Sequence, residues 1–360
     1  MTEKLSADKY DFDKPRFSIQ WHLTNDCGNR CRHCYMTRSG KALSFEDCRL
    51  IINDFSRLVK HWNANPRIYL TGGDPLLCSY FYNLFEYILK KLGEKVKIGI
   101  LGNPETLTEY HLKRLVELKP FFYQLSIDGL EEKHDFIRYR GSFKQTVKAI
   151  GSLQSAGIKV AVMCTVSNVN IDDLLPVIDL VASKKIRFFD FARFSPPDHH
   201  NLGENRKTII SPLKYREVMF EVLAKYEHYR SDSGCVTLFG EKDPLWALVN
   251  LERGRLNKIR RKSHQDLVVG GCNIGANALS ILHDGIVLGC RRIAKPIGKV
   301  PQQSLRSIFI RSKNLNYMRR ISAIEKCCKC ELLVYCRGCR AVAYGYTGNF
   351  FAPDPQCWKS

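Results

Sequence analysis

Three cysteines, Cys27, Cys31 and Cys34, stand in the segment WHLTNDCGNRCRHCYM with spacings of three and two residues. Composition alone would place this spacing somewhere in only about 2 to 3% of chains this rich in cysteine. Three thiolates on one short loop can hold three irons of a [4Fe–4S] cube, which leaves the fourth iron without a protein ligand and open to chemistry. Structural zinc wants four ligands and matches three less well. Toward the other end, Cys272, Cys290, Cys327, Cys330, Cys336, Cys339 and Cys357 form spaced groups, with Cys328 beside them. The Cys-x2-Cys pairs there also suit zinc ribbons, so a pair of zinc sites is the alternative for that region. Cys48, Cys78, Cys164 and Cys235 are isolated and read as small buried hydrophobes.

The elements that must position these thiols follow from the hydrophobic pattern. Short β-rich runs at Phe17 to Leu23, Arg67 to Thr71, Lys97 to Leu101, Phe121 to Ile127, Val160 to Val166 and Arg187 to Ala192 alternate with stretches of helical period. Six strands alternating with helices predict parallel βα units, whose active site lies at the carboxyl ends of the strands. The three-cysteine loop follows the first strand. LTGGDPLL follows the second, LSIDG the fourth, CTVSN the fifth and FARFSP the sixth. After Ala192 come a polar loop, a helix over PLKYREVMFEVLAKYEHYR, and a run from Arg253 to Lys262 with six basic residues in ten. That run reads as a solvated helix face or as a docking surface for an acidic peptide. Farther on, ALSILHDGIVLGC predicts a β-hairpin turning at His283-Asp284-Gly285.

Composition bounds the rest. Of 360 residues, 44% are apolar and 26% charged, the profile of a globular protein rather than a disordered or fibrous one. The net charge of +20 favours anionic partners such as nucleotides, phosphates or acidic peptides. No apolar run approaches the roughly 18 residues that span a bilayer, and the opening MTEKLSADKYDFDKPR lacks the apolar core of a secretion signal. A cytoplasmic protein without membrane contact is expected. Fifteen cysteines in that reducing compartment argue for metal ligation or catalysis rather than disulfides.

With these residues on the page, the chain resembles the radical S-adenosylmethionine (SAM) superfamily, whose signature is a CxxxCxxC loop after the first strand of a partial (β/α)6 TIM-like barrel. The resemblance implies that Cys27, Cys31 and Cys34 hold a [4Fe–4S] cluster whose open iron takes the amino and carboxylate groups of SAM. It places His33, before the third cysteine, near the adenine. Gly72, Gly73 and Asp74 resemble the family's GGE segment at the methionyl ammonium, where a Gly-Gly turn permits close backbone approach. Ser126 and Asp128 resemble a ribose-contacting strand end, and Thr165 and Asn168 occupy the end of the fifth strand. Arg193, at the end of the sixth, could pair with the SAM carboxylate as a bidentate donor.

The carboxyl-terminal cysteines resemble the SPASM domain, an extension carrying auxiliary clusters in enzymes that mature peptides and proteins. This chain departs once, with two residues rather than three between Cys336 and Cys339. Carried over, the ligation implies one closed [4Fe–4S] cluster on Cys327, Cys330, Cys336 and Cys357. A second, on Cys272, Cys290 and Cys339, is short of one thiolate. It is either open or completed by a borrowed ligand, for which Cys328 is one candidate. The expected layout is an N-terminal extension over 1–16, a radical SAM partial barrel over 17–200, a bridging helical and basic segment over 201–269, and a small Cys-rich SPASM domain over 270–360.

The implied activity is reductive cleavage of SAM and hydrogen abstraction from a ribosomally made peptide, leading to a thioether or carbon–carbon crosslink, epimerisation or a related oxidation. Only about 16 residues precede the first strand, which leaves no room for the leader-binding module that several such maturases carry. A separate recognition protein is therefore a possible partner, beside the precursor peptide and an electron donor such as flavodoxin or ferredoxin. The rivals are a formylglycine-generating activator of a client enzyme, a SPASM-type tetrapyrrole enzyme and, from another class, a zinc-stapled basic RNA-binding protein. The aromatics fall in strand and helix patterns rather than in a stacking platform, which speaks against nucleic acid.

Overall fold

The computed structural model describes residues 14–36, 40–197, 206–256 and 268–359. Six parallel strands carry the first half: β1 (Arg16–His22), β2 (Asn65–Thr71), β3 (Lys97–Leu101), β4 (Phe122–Ser126), β5 (Val160–Val166) and β6 (Phe188–Arg193). Each pairs with the next in sequence order. Helices α1 (Phe45–His61), α2 (Phe81–Leu92), α3 (Glu109–Leu118), α4 (Glu131–Ile137), α5 (Ser142–Ser155) and α6 (Leu174–Ser183) connect them. The strands and five of these helices lie where the pattern predicts. Helix α4 was not anticipated, because its seven residues are too few for an apolar period to repeat.

Local chemistry explains the elements. Ser44 and Asp47 form a capping box that starts α1, and Ile51, Ile52, Phe55, Leu58 and Val59 turn inward from it. On β1 the side chains alternate. Phe17, Ile19 and Trp21 are buried, with Phe17 against Phe55 of α1. Burying each such side chain contributes about 1.5 to 3 kcal/mol. Ser18, Gln20 and His22 consequently point to the opposite face, the inside of the barrel. The pairing carries that face across the sheet through Tyr69, Gly99 and Phe122 and on to Met163 and Asp190.

The sheet does not close. Its order is β10-β9-β8-β1-β2-β3-β4-β5-β6-β7, ten strands in all, with β7 (Leu238–Phe239) beside β6. At the other edge β8 (Ala278–Ile281) runs parallel to β1, and β9 (Ile286–Leu288) and β10 (Pro296–Lys299) follow antiparallel. The predicted hairpin forms, turning at Gly285, whose φ of +85° and close approach to the Val300 carbonyl exclude a side chain. The hairpin extends the barrel's own sheet, because β1 offers it an unpaired edge.

Among the described residues the remaining helices are α7 (Pro212–Ser231), α8 (Trp246–Glu252), α9 (Leu305–Arg311), α10 (Lys313–Met318) and α11 (Arg340–Thr347). Ile293, Ile321, Ile324, Val342 and Phe350 make a second apolar cluster under the late cysteines. Of the basic run, Arg253 and Arg255 both pair with Glu227 of α7, so its first part is tied back to a helix. The rest of that run, and nearly all of the N-terminal extension, lie outside the described residues. Cys48, Cys78 and Cys164 are buried as expected, and Cys235 is half-buried. Among the described residues no helix is long and apolar enough to cross a membrane.

Candidate functional site

The loop after β1 is held from beneath by the β2 end. Gly73 N donates to Thr24 O at 2.8 Å and Asp74 N donates to Asp26 O at 2.7 Å. A Cβ on Gly73 would collide with the Asp26 carbonyl, and Gly72, at φ +154°, approaches Thr24 O as closely. The glycine pair is thus needed to bring the Thr24–Asp26 strap down onto the barrel, which fixes where Cys27 begins.

Each loop sulfur meets an N–H group. Cys27 Sγ accepts from Asn29 N and from Asn103 Nδ2, both at 3.4 Å, and Cys34 Sγ accepts from Met36 N at 3.4 Å. Arg138 brings a guanidinium to 3.9 Å of Cys31 Sγ. Burial pushes the Cys27 and Cys31 thiols up, and repulsion from Cys34 adds to both. The N–H donors around the three sulfurs suit thiolates, whose charge a cationic metal cluster would compensate.

Several of the expected contact residues already have partners within the fold. Asp128 is fully buried and already engaged: Oδ2 accepts from Arg138 Nε at 2.7 Å and lies 3.8 Å from His33 Nε2, while Oδ1 accepts from Thr165 N at 2.8 Å. Burial alone would raise its carboxyl, but Arg138, His33 and that N–H hold it below the ordinary carboxylate value. It is a post for Arg138 and His33 rather than a free ribose acceptor. Asp74 is also buried, accepting from Leu76 N at 3.0 Å, Asn103 N at 3.3 Å and the Thr106 hydroxyl, so it organises the turn after β2.

Arg193 is the clearest departure. Its guanidinium is wholly enclosed, bound to Asp243 at 2.7 Å, to Asp354 at 2.7 and 2.8 Å and to Gln356 at 2.8 Å. No donor remains for a SAM carboxylate. Asn168 is exposed and bonded to the turn at Thr208 and Lys207. Ser126, half-buried on the lumen face of β4, and Thr165, at the end of β5, stay at the barrel mouth, and His33 lies beside them over Asp128.

The late cysteines separate into two groups. Cys327, Cys330, Cys336 and Cys357 line a cavity of about 20 Å³ together with Asp354 and Gly338. Cys272 lies within electrostatic reach of Cys339 and Cys290, which raises its thiol further after burial. Among the described residues no three His, Cys, Asp or Glu side chains close up as they would around one ion. Four thiols ringing a cavity, and three more beside the barrel, form a donor set that fits iron–sulfur clusters.

Sequence reasoning missed the residues that tie these centres together. Asn103 Nδ2 also donates to Gly73 O at 3.2 Å, and its place two residues past the third strand's end was the available signal. Arg138 and His134 belong to the unanticipated α4 and its cap. His134 Nδ1 accepts from Asp128 N at 3.1 Å, and burial with help from Arg138 pushes its pKa down to about 4. From the hairpin side, His283 meets Asn25 at 2.9 Å, and Arg291 donates to Tyr35 O at 3.0 Å while lying over its ring. Arg292 bridges Arg193 O and Cys339 Sγ at 2.9 and 3.3 Å.

Comparisons with known proteins agree with this geometry. Residues 21–181 match the family model of the Radical SAM superfamily, and residues 272–339 match SPASM, an iron-sulfur cluster-binding domain. The AdoMet-dependent heme synthase of Nitratidesulfovibrio vulgaris is 25% identical over 354 residues, covering 94% of this chain and 91% of that protein. The sporulation killing factor maturation protein SkfB of Bacillus subtilis is 26% identical over 319 residues, covering 87% and 68%. Among solved structures, native anSMEcpe with bound AdoMet superposes with a TM-score of 0.73 at 19% identity, covering 94% and 93%.

Proposed function

We infer that this chain, an enzyme built of a radical SAM domain followed by a SPASM domain and using S-adenosylmethionine and [4Fe–4S] clusters, modifies a ribosomally made peptide by hydrogen abstraction. The observation that supports the reading most is the nearness of the two cysteine groups: Tyr35, beside Cys34, is within electrostatic reach of Cys290, Arg291 donates to Tyr35 O and Arg292 donates to Cys339 Sγ. A cluster on Cys27, Cys31 and Cys34 supplies, when bound and reduced, the electron that splits the SAM sulfonium into methionine and a 5′-deoxyadenosyl radical.

The chain's own residues do the rest. Asn103 and Arg138 orient Cys27 and Cys31, while Asp128 fixes Arg138 and keeps His33 at the mouth. Gly72 and Gly73 bring the strap to the β2 end, where their backbone is the surface offered to the methionyl group. Ser126 and Thr165 line the chamber where a ribose would lie. The closed four-thiol set and the three-thiol set are proposed as the two auxiliary cluster sites, which lets an electron leave or enter the substrate side. An external flavodoxin or ferredoxin is the proposed reductant.

SkfB, a maturation protein of the sporulation killing factor, supports a peptide substrate. The second reading, a tetrapyrrole substrate, is favoured by the heme synthase match across nearly the full length of both proteins. Anaerobic enzyme given SAM, a reductant and either a Cys-rich peptide encoded beside its gene or iron coproporphyrin III separates the two. Loss of hydrogen from the peptide, with deuterium passing from labelled peptide into 5′-deoxyadenosine, is the expected result. Conversion of the porphyrin alone would overturn the peptide reading.

A further inference from the structure

The fold does not support the four thiols Cys327, Cys330, Cys336 and Cys357 equally. Leu332 N donates to Cys330 Sγ at 3.5 Å, and Gly338 N donates to Cys336 Sγ at 3.3 Å. Cys357 meets the backbone N–H of Lys359. Among the described residues Cys327 Sγ accepts no such bond, and the charge that most favours its thiolate is the guanidinium of Arg340.

Arg340 opens α11, one residue after Cys339. Its side chain is 2% exposed, and Nη1 donates to Phe350 O at 3.0 Å and to Ala352 O at 2.8 Å. Both carbonyls belong to the segment that leads to Cys357, so the guanidinium is clamped to the chain that carries a late thiol. Nε and Nη2 are buried as well, and neither has a hydrogen-bond partner. Nη2 stands 3.0 Å from where a Cβ on Gly338 would lie, and Gly338 lines the four-thiol cavity. Asp354 also stands beside Gly338, but its carboxylate is taken by Arg193 and by Cys339 N. A fixed, buried cation with two unpaired nitrogens is costly unless something anionic completes it. A cluster on four thiolates is such a group, because it carries net negative charge and its sulfurs accept N–H bonds.

We propose that Arg340 reserves Nε and Nη2 for the cluster on Cys327, Cys330, Cys336 and Cys357, donating to its sulfurs on the Cys327 side and raising its reduction potential. The proposal rests on the reading of these four thiols as an auxiliary cluster site. Reduction adds one negative charge to the cluster, and a buried guanidinium beside it favours that state. The electron that takes the cluster from its 2+ to its 1+ state comes from the external reductant, which is oxidised by one electron. Arg340 supplies charge and N–H groups and transfers nothing.

Anaerobically reconstituted full-length enzyme is titrated potentiometrically and followed by EPR, beside Arg340→Gln and Arg340→Lys. The SAM-binding cluster is set apart by its spectral change on adding SAM, and the four-thiol cluster by the signal altered in Cys330→Ser. At the native midpoint, Arg340→Gln should lower the reduced-to-oxidised ratio of the four-thiol cluster by about tenfold or more, a fall of about 59 mV for a one-electron couple. Arg340→Lys keeps the charge but not the planar pair of donors, and should lower that ratio by about threefold. Iron content should be unchanged in both. An unmoved midpoint in Arg340→Gln, or an equal fall in both auxiliary clusters, overturns the proposal. Should Arg340→Gln fail to retain iron because Phe350 and Ala352 lose their donor, an unmoved midpoint in Arg340→Lys overturns it instead. Native enzyme holding only about four irons would overturn the auxiliary-cluster reading and this proposal with it.

Discussion

Replacing Arg193 by Met keeps the length of the stem and deletes a guanidinium that holds two carboxylates together. Asp243 and Asp354 are 5% and 2% exposed, and they come from the segment before α8 and from the chain's end, 50 and 161 residues away from Arg193. Breaking a buried ion pair from one side costs about 3 to 5 kcal/mol, because the abandoned charge stays out of water. For a chain of this size that is a fall in Tm on the order of 5 to 10 °C. The pH dependence identifies the cause. In the native protein, burial would raise the Asp354 carboxyl, but Arg193 and two N–H donors hold it below the ordinary value. Its contribution is therefore complete above the unfolded carboxylate value of about 3.9 and is lost only as pH falls through the lower folded value. In Arg193→Met the same carboxyl is buried without a cation and prefers its proton, so the variant should recover stability as pH falls from 7 toward 5. Native protein should stay nearly flat on that account over the same range. Denaturant unfolding of anaerobic protein at several pH values, with Arg193→Met/Asp243→Asn/Asp354→Asn as the partial rescue, reads this directly. A single variant within about 1 kcal/mol of native at pH 7, or a deficit constant across pH, would refute the reasoning.

His134, neutral inside and held near 4, is fully stabilising above the unfolded value of about 6.5 and loses that contribution as pH falls toward 4. The loss should reach about 2 kcal/mol by pH 5, and the corresponding slope should vanish in His134→Gln; an unchanged slope contradicts the assignment. Gly73→Ala forces a methyl against the Asp26 carbonyl and should destabilise by about 2 to 3 kcal/mol while lowering SAM cleavage. Gly151→Ala, exposed in the middle of α5 with open space around it, should instead stabilise by about 0.5 to 1 kcal/mol. Equal effects from the two glycines would mean that the strap under Cys27 is not tight.

The barrel was legible because its strands repeat a simple apolar alternation between helices of plain 3.6-residue period. The Cys27, Cys31 and Cys34 loop was legible from its short spacing, whereas the grouping of the late cysteines came only from the resemblance to the SPASM domain. Side-chain direction at strand ends was not. Asp128 and Arg193 stand where cofactor contacts are expected, yet one turns to Arg138 and the other to residues far along the chain. A one-dimensional pattern gives the end of a strand but not the partners that long-range packing delivers to it. The same limit hid the junction of β8 with β1, by which the late hairpin joins the barrel's sheet.

The most direct test is to change Cys27, Cys31 and Cys34 to Ala one at a time and measure 5′-deoxyadenosine produced from SAM under reducing, anaerobic conditions, alongside iron content. Each variant should lose SAM cleavage and about four irons, while the iron held by the late cysteines stays in place. Undiminished cleavage in all three would contradict the placement of the chemistry on that loop.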